Sequence, residues 1–212
     1  MDMNSAPEKR AGRPVDIGKR VAVMQAAQKL FISNGFAGTS MDAIAEAAGV
    51  SKLTAYKYFG SKQQLFAQSV AAKCESVMGQ LAIDHSAGHD LRECLLAFGN
   101  GFLSLILNPE AMAVQHLVIT ERERVPELGM IFFESAVRPI SDKLAVMIAR
   151  HEEAGDIATG DDPLAAAQDL LALWRGRPFM MLELGSGEMD ADGLATHVTH
   201  CVDLCLKAWT PH

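Results

Sequence analysis

The sequence predicts an all-α protein, with three short helices forming a small N-terminal head and a larger C-terminal helical bundle, about nine helices in all. Three observations carry that expectation. Apolar residues recur at three- and four-residue intervals, and no stretch alternates apolar and polar residues convincingly, so no sheet is expected. Helix boundaries are marked by Ser, Asn, Asp or Pro at starts and by Gly at stops. Charge also divides the chain: residues 1–62 hold nine Lys/Arg against five Asp/Glu, whereas residues 63–212 hold ten against twenty-one. A basic head on an acidic body can approach a polyanion from one side only, despite the net charge of −7.

Residues 1–15 mix Pro, Gly and charge without periodicity and predict a flexible basic arm, with Lys9, Arg10 and Arg13 supplying the charge. It is either a solubilising tail or an arm that touches phosphate or the minor groove. The head is drawn over 16–62 and the body over 63–212. Asp16 to Asn34 forms the first helix, with Val23, Ala27, Leu30 and Phe31 on one face and Gly35 as its stop. Phe31, Phe36, Ile44 and Phe59 should build the head's small core.

The stretch from Thr39 to Phe59 reads as two short helices joined at Gly49, where a left-handed backbone is needed. Ile44 and Ala48, then Val50, Ala55 and Tyr58, form an apolar seam, and Ser51 is an N-cap. This is the layout of a helix-turn-helix, whose second helix enters the DNA major groove. A core hairpin can show the same spacing. It would, however, want mostly apolar residues where this helix carries Lys52, Thr54, Tyr56 and Lys57.

Ser61 opens a long helix through a capping box with Gln64, and that helix runs to about Gly79. Lys62 lies in its first turn, where the helix dipole disfavours a cation, a conflict that a bound phosphate would resolve. Leu81–His89 predicts a turn. Further helices are expected from Asp90 to Leu107, from Pro109 to about Glu123, and from Pro126 to Gly155 with a kink or boundary at Pro139. The last two start at Asp161-Asp162-Pro163, ending near Gly185, and at Asp190, ending near Trp209.

The pieces A-x-x-L-F, G-F-x-G-T-S, I-A-x-x-A-G-V-S, Y-x-Y-F and K-x-x-L-F occur in that order between about Arg20 and Phe66. That run resembles the DNA-binding domain of TetR-type (tetracycline-repressor-like) transcriptional regulators. The body's run VITERERVPELGMIFFESAVRPISDKLA is similar to the C-terminal domain of the AefR-like branch. The Leu53-Thr54-Ala55 run departs from the small residue many members carry before the tyrosine, which bears on the bases read. The resemblance implies an all-α homodimer that binds double-stranded DNA and senses a small-molecule effector in its body. It implies a DNA face in which Thr54, Tyr56 and Lys57 meet the major groove or its flanking phosphates, beside Ser51 and Lys52. Thr39, Ser40, Tyr58 and Lys62 would hold the phosphate backbone. Thr54 and Lys57 are the expected base readers.

In the body, Phe98, Phe102, Met112, His116, Phe132, Phe133, Met147 and Trp174 are either plain core or the wall of an apolar pocket. Gln115, His116, Glu134 and Arg175 are the polar partners such a pocket would use. The final two helices have wide apolar faces (Leu164, Leu170, Leu171, Leu173 and Trp174; Leu194, Val198, Cys201, Leu204 and Cys205) that suit a four-helix homodimer seam. His197, Cys201 and Cys205 share a stripe, but without a C-x-x-C knuckle no metal is expected, and the four cysteines should be reduced. No triad order, phosphate loop or H-E-x-x-H suggests an enzyme, and no cofactor is expected. No apolar run approaches the roughly 18 residues that span a bilayer, so a cytoplasmic protein with no membrane partner is expected. The expected function is a ligand-responsive repressor on a near-palindromic operator. The alternative is an architectural DNA binder without an effector.

Overall fold

The computed structural model describes residues 17–79, 90–160 and 162–211. The arm over 1–15, Asp16, the turn over Leu81–His89 and Asp161 lie outside the described residues. The described residues contain α1 (Ile17–Gly38), α2 (Met41–Ala47), α3 (Lys52–Phe59), α4 (Lys62–Met78), α5 (Leu91–Ile106) and α6 (Pro109–Glu121). Then come α7 (Glu127–Phe132), a π-helical turn (Phe133–Val137), α8 (Arg138–Glu153), α9 (Pro163–Glu183) and α10 (Ala191–Ala208), with no strand among them.

The boundaries follow local chemistry. Ser40, Ser51, Ser61, Asp90, Asn108, Asp162 and Asp190 each accept a backbone N–H of the first turn they precede. Pro139 has no N–H to give the Ser135 carbonyl and its ring crowds that carbonyl, so an uninterrupted α-helix cannot pass. The chain widens into a π turn instead, where the Arg138 N–H reaches back to the Phe133 carbonyl. The kink expected at Pro139 is this widening.

Gly35 is the sharper break. Its φ of 76° and ψ of 163° interrupt α1 in a region open only to glycine. The break turns Phe36 back beneath the helix, against Phe31 and Phe66, with ring centroids 5.2 to 5.8 Å apart. All three rings are buried, as are Ile44 and Phe59, which makes the expected head core and adds Phe66 from α4 to it. The same cluster continues through Leu117, Leu128 and Ala136, so the lower core crosses the line drawn at 62/63.

A second core lies between α5, α8, α9 and α10, around Leu95, Phe98, Leu144, Ile148, Trp174 and Val198. Gly99 allows its tightest approach: a Cβ there would lie 2.7 Å from Trp174 Cε2 and 2.8 Å from Val198 Cγ1. Phe98 stacks on Trp174 at 6.1 Å. Phe98, Met147 and Trp174 are therefore bundle core rather than pocket wall, because α5, α8 and α9 turn these faces toward one another.

Candidate nucleic-acid interface and the cavity behind it

The head presents α3 outward. Ala55 and Phe59 are buried against α1 and α2, which turns Lys52, Leu53, Tyr56 and Lys57 to solvent. Gly49, at φ 66°, makes the reversal between α2 and α3. Ser51 caps α3 by accepting the Thr54 N–H at 3.1 Å, and its hydroxyl shares a 2.8 Å hydrogen bond with the Thr54 hydroxyl. Lys52 pairs with Asp42 across the turn at 2.7 Å and lies over the Tyr56 ring, and the carboxylate pushes the Lys52 ammonium above its usual range. Tyr58 is half-buried, edge-on to Phe59 at 6.4 Å.

Two of the backbone-holding residues have other work. Thr39 is 2% exposed, and its hydroxyl donates to the Leu30 and Gly35 carbonyls at 3.0 and 2.8 Å, stitching the end of α1. The Lys62 ammonium turns inward, donating to the Phe36 and Thr39 carbonyls at 2.7 and 2.8 Å, with the Phe36 ring 4.5 Å away. Burial draws its pKa below the ordinary lysine value, while the Glu121 carboxylate opposes that shift. Carbonyls at the end of α1 thus meet the conflict with the α4 dipole within the chain itself. Ser40 remains exposed, as does Leu53, which is 79% exposed and is not among the expected site residues. Only the departure at Leu53-Thr54-Ala55 hinted at it.

Behind the head, α4, α6, the π turn, α8 and α9 surround a cavity of about 690 Å³. Phe102, Gln115, Phe132 and Phe133 line it, together with Phe66, Val70, Ile106, Val118, Ile140 and Leu171. Met112 and His116 face the other side of α6, in a smaller cleft against Ile32 and Gly35. Helical phase explains the difference, since Gln115 and Val118 point one way and Met112 and His116 the other. Glu134 pairs with Arg138 at 2.8 Å and is not part of the wall. The π turn carries three lining residues, Phe133, Ala136 and Val137, a position the sequence signalled only through Pro139.

Charged groups touch the cavity at few points. Lys73 and Glu110 pair at 3.0 Å, and this contact holds the Glu110 carboxyl below the usual carboxylate range. Arg175 lies over Phe179, 4.0 Å from the ring centroid, and donates to Gln115 Oε1 at 3.4 Å. Cys74 is a thiol there, its pKa pushed up to about 11 by burial.

On the expected dimer faces, Leu170, Trp174, Val198, Cys201 and Cys205 are buried within their own chain. The exposed apolar residues are Leu173, Met180 and Leu184 on or beside α9 and Leu204 on α10. Sequence periodicity could not separate the inner stripe from the outer one, because both recur at helical spacing. His197 Nε2 donates to the Trp174 carbonyl at 3.0 Å, tying α10 to α9. Among the described residues, no cluster of three His, Cys, Asp or Glu could hold a metal ion, and no single helix is long and apolar enough to cross a membrane.

Comparison with known proteins agrees with this geometry. Residues 93–211 match the AefR-like transcriptional repressor C-terminal domain, and residues 23–68 match the bacterial regulatory proteins of the tetR family. The solved structure of the flavonoid-responsive regulator FrrA is 35% identical, covers 92% of this chain and 98% of its own, and superposes with a TM-score of 0.77. A TetR-family regulator from Mesorhizobium loti MAFF303099 is 28% identical over 94% of this chain and 100% of its own, with a TM-score of 0.75. The uncharacterized helix-turn-helix regulator YdeS of Bacillus subtilis (strain 168) is 39% identical over 62 residues, 29% of this chain and 31% of that protein, so the chain spans less than a third of that relative. The chain belongs to the TetR family of bacterial transcriptional regulators, with the family's DNA-binding helix-turn-helix at its N-terminus and an AefR-like C-terminal domain.

Proposed function

We propose that this regulator is a ligand-responsive cytoplasmic repressor, holding a near-palindromic operator as a homodimer and releasing it when an apolar or aromatic effector enters the cavity. The observation that carries this is α4. Its first residue is bonded to the base of the head through Lys62, and Phe66, Val70, Lys73 and Cys74 farther along it form one wall of the cavity. An occupant that displaces α4 therefore acts on the head directly.

Ser40, Ser51, Lys52, Thr54, Tyr56 and Lys57 form the DNA face, with Leu53 added and with Thr39 and Lys62 as its internal braces. Two heads must present α3 about 34–36 Å apart to enter successive major grooves. The exposed Leu173, Met180, Leu184 and Leu204 supply apolar surface for the dimer that fixes this spacing. An effector that binds better to a splayed dimer shifts the population away from DNA.

The likeness to a flavonoid-responsive regulator makes planar polyphenols the first class to try. Footprinting of the protein on DNA flanking its own gene, with and without a flavonoid and long-chain carboxylate panel, tests the proposal. A footprint erased by a panel member supports it. A footprint indifferent to every compound, with melting temperatures equally indifferent, would favour the architectural binder without an effector.

A further inference from the structure

The charges around the cavity are not equivalent. Lys73 is neutralised by Glu110, which also accepts from Gln28 at 3.3 Å, and all three belong to a half-exposed polar edge. Arg175 has no ion pair among the described residues. Its contacts there are neutral: the Phe179 ring and the long 3.4 Å hydrogen bond to Gln115, which uses one of five guanidinium N–H donors. The stacked ring holds the guanidinium plane, as cation–π contacts do. That hydrogen bond joins α9 to α6 across the cavity, and Gln168 lines the same wall with a third neutral amide.

With Lys73 and Glu110 cancelling, the described lining carries one uncompensated positive charge, set among neutral polar groups such as Gln115, Gln168 and Ser141 on a largely apolar surface. Arg175 stands at the exposed rim of the cavity with four guanidinium donors unused among the described residues, and its planar fork matches an oxyanion better than a lone acceptor. Gln115 lies five residues beyond Glu110 on α6, about 7–8 Å of helical rise, so the cationic point is set apart from the neutralised edge.

We propose that the effector is a monoanion. Its oxyanion, a carboxylate or an ionised phenol, is held by Arg175 with the Gln115 amide beside it, and its apolar body lies along Phe102, Phe132 and Phe133. This rests on the effector reading above and adds the charge class of the molecule. Once the oxyanion engages the guanidinium, the Arg175–Gln115 contact gives way, and α6 and α9 are joined through the ligand instead.

Matched probe pairs test it on the full-length dimer: dodecanoate against methyl dodecanoate, and 7-hydroxyflavone above its phenol pKa against flavone. Affinity is read by calorimetry and by release of operator DNA. The anion of at least one pair should bind about tenfold or more tighter than its neutral partner, the scale of a charge-assisted hydrogen bond. Preference in the first pair identifies a carboxylate effector, and in the second a phenolate. Arg175→Gln should abolish the preference with the melting temperature unchanged, Arg175→Lys should restore part of it, and Arg177→Gln, two residues along α9 and outside the lining, should leave it intact. Neutral probes that bind as well as the anions, or a preference that survives Arg175→Gln, overturn the monoanion while leaving an effector cavity in place. If no probe of either charge binds or releases DNA, the cavity reading fails and the charge assignment fails with it.

Discussion

Leu53 offers the cleanest test of how the head reads sequence. It stands in the first turn of α3, the end of a recognition helix that meets base edges, and its side chain is 79% exposed. Leucine has no hydrogen-bonding group, so its complement in the major groove is the C5 methyl of thymine. Full burial of a leucine side chain is worth about 1.5–3 kcal/mol, and covering about half of it against one methyl gives about 1 kcal/mol per head. Two heads then contribute about 2 kcal/mol, or roughly thirtyfold in Kd. Leu53→Ala should weaken operator binding by about that factor without lowering the melting temperature, because the residue supports no packing and alanine is the better helix former. Deoxyuridine in place of the contacted thymine deletes the partner methyl instead. On DNA carrying that substitution, wild type and Leu53→Ala should bind nearly alike. Fluorescence anisotropy over the four protein–DNA combinations measures the coupling. If the two losses simply add, Leu53 and the thymine methyl do not touch, and the helix is docked in another register.

Lys57→Ala should reduce the salt slope of binding by about one charge per subunit and leave folding unchanged, which anisotropy titrations at several salt concentrations will check. Gly35→Ala forces an L residue to φ 76° and sets its Cβ 2.4 Å from Glu121 Oε1, so it should cost about 1–3 kcal/mol or more, seen as a lower melting temperature. A melt that matches wild type would mean the α1 break is not fixed as described. Cys74, held as a thiol by a pKa near 11, should react slowly with iodoacetamide at pH 7.5 and faster as pH rises toward 11, and a cavity-filling effector should slow it further by mass spectrometry.

The head was legible from sequence because its signals are local. Gly49, Ser51 and Ser61 each act on the next few backbone amides, so their roles follow from neighbours in the chain. The same locality did not reveal the intrachain partners of Thr39 and Lys62. Each has a partner many residues away, the Leu30 and Phe36 carbonyls, brought near only because Gly35 folds the end of α1 under itself. In the body, helical spacing identified apolar faces without saying what they meet. Trp174 and Phe98 found each other, while Phe102, one turn along from Phe98, came to line the cavity. Cavity walls are assembled from helices distant in sequence, so Phe66, which the sequence assigns to the body and the structure adds to the head core, serves both regions.

Lys62 ties the start of α4 to the end of α1, so it is the place to test the proposed coupling of cavity and head. A cation in the first turn of α4 opposes that helix's dipole, but the carbonyls it reaches end α1, where partial negative charge gathers. Its placement costs α4 something and returns it at the junction, so the two helices share one ammonium. Lys73, on the cavity wall, lies eleven residues along α4, about 16 Å, a span a single helix crosses stiffly. Glu121, buried beside Gly35, ends α6, whose other side lines the cavity through Gln115 and Val118. Two cavity walls therefore converge on the same few atoms at the base of the head. Lys62→Met keeps the side chain's bulk over Phe36 but removes both hydrogen bonds. It should leave the salt slope of operator binding near wild type while weakening effector-driven release by several-fold. A phosphate-binding lysine would do the reverse, losing about one charge from the slope with release intact. Salt titrations with and without effector on this one variant separate a mechanical tie from a DNA contact.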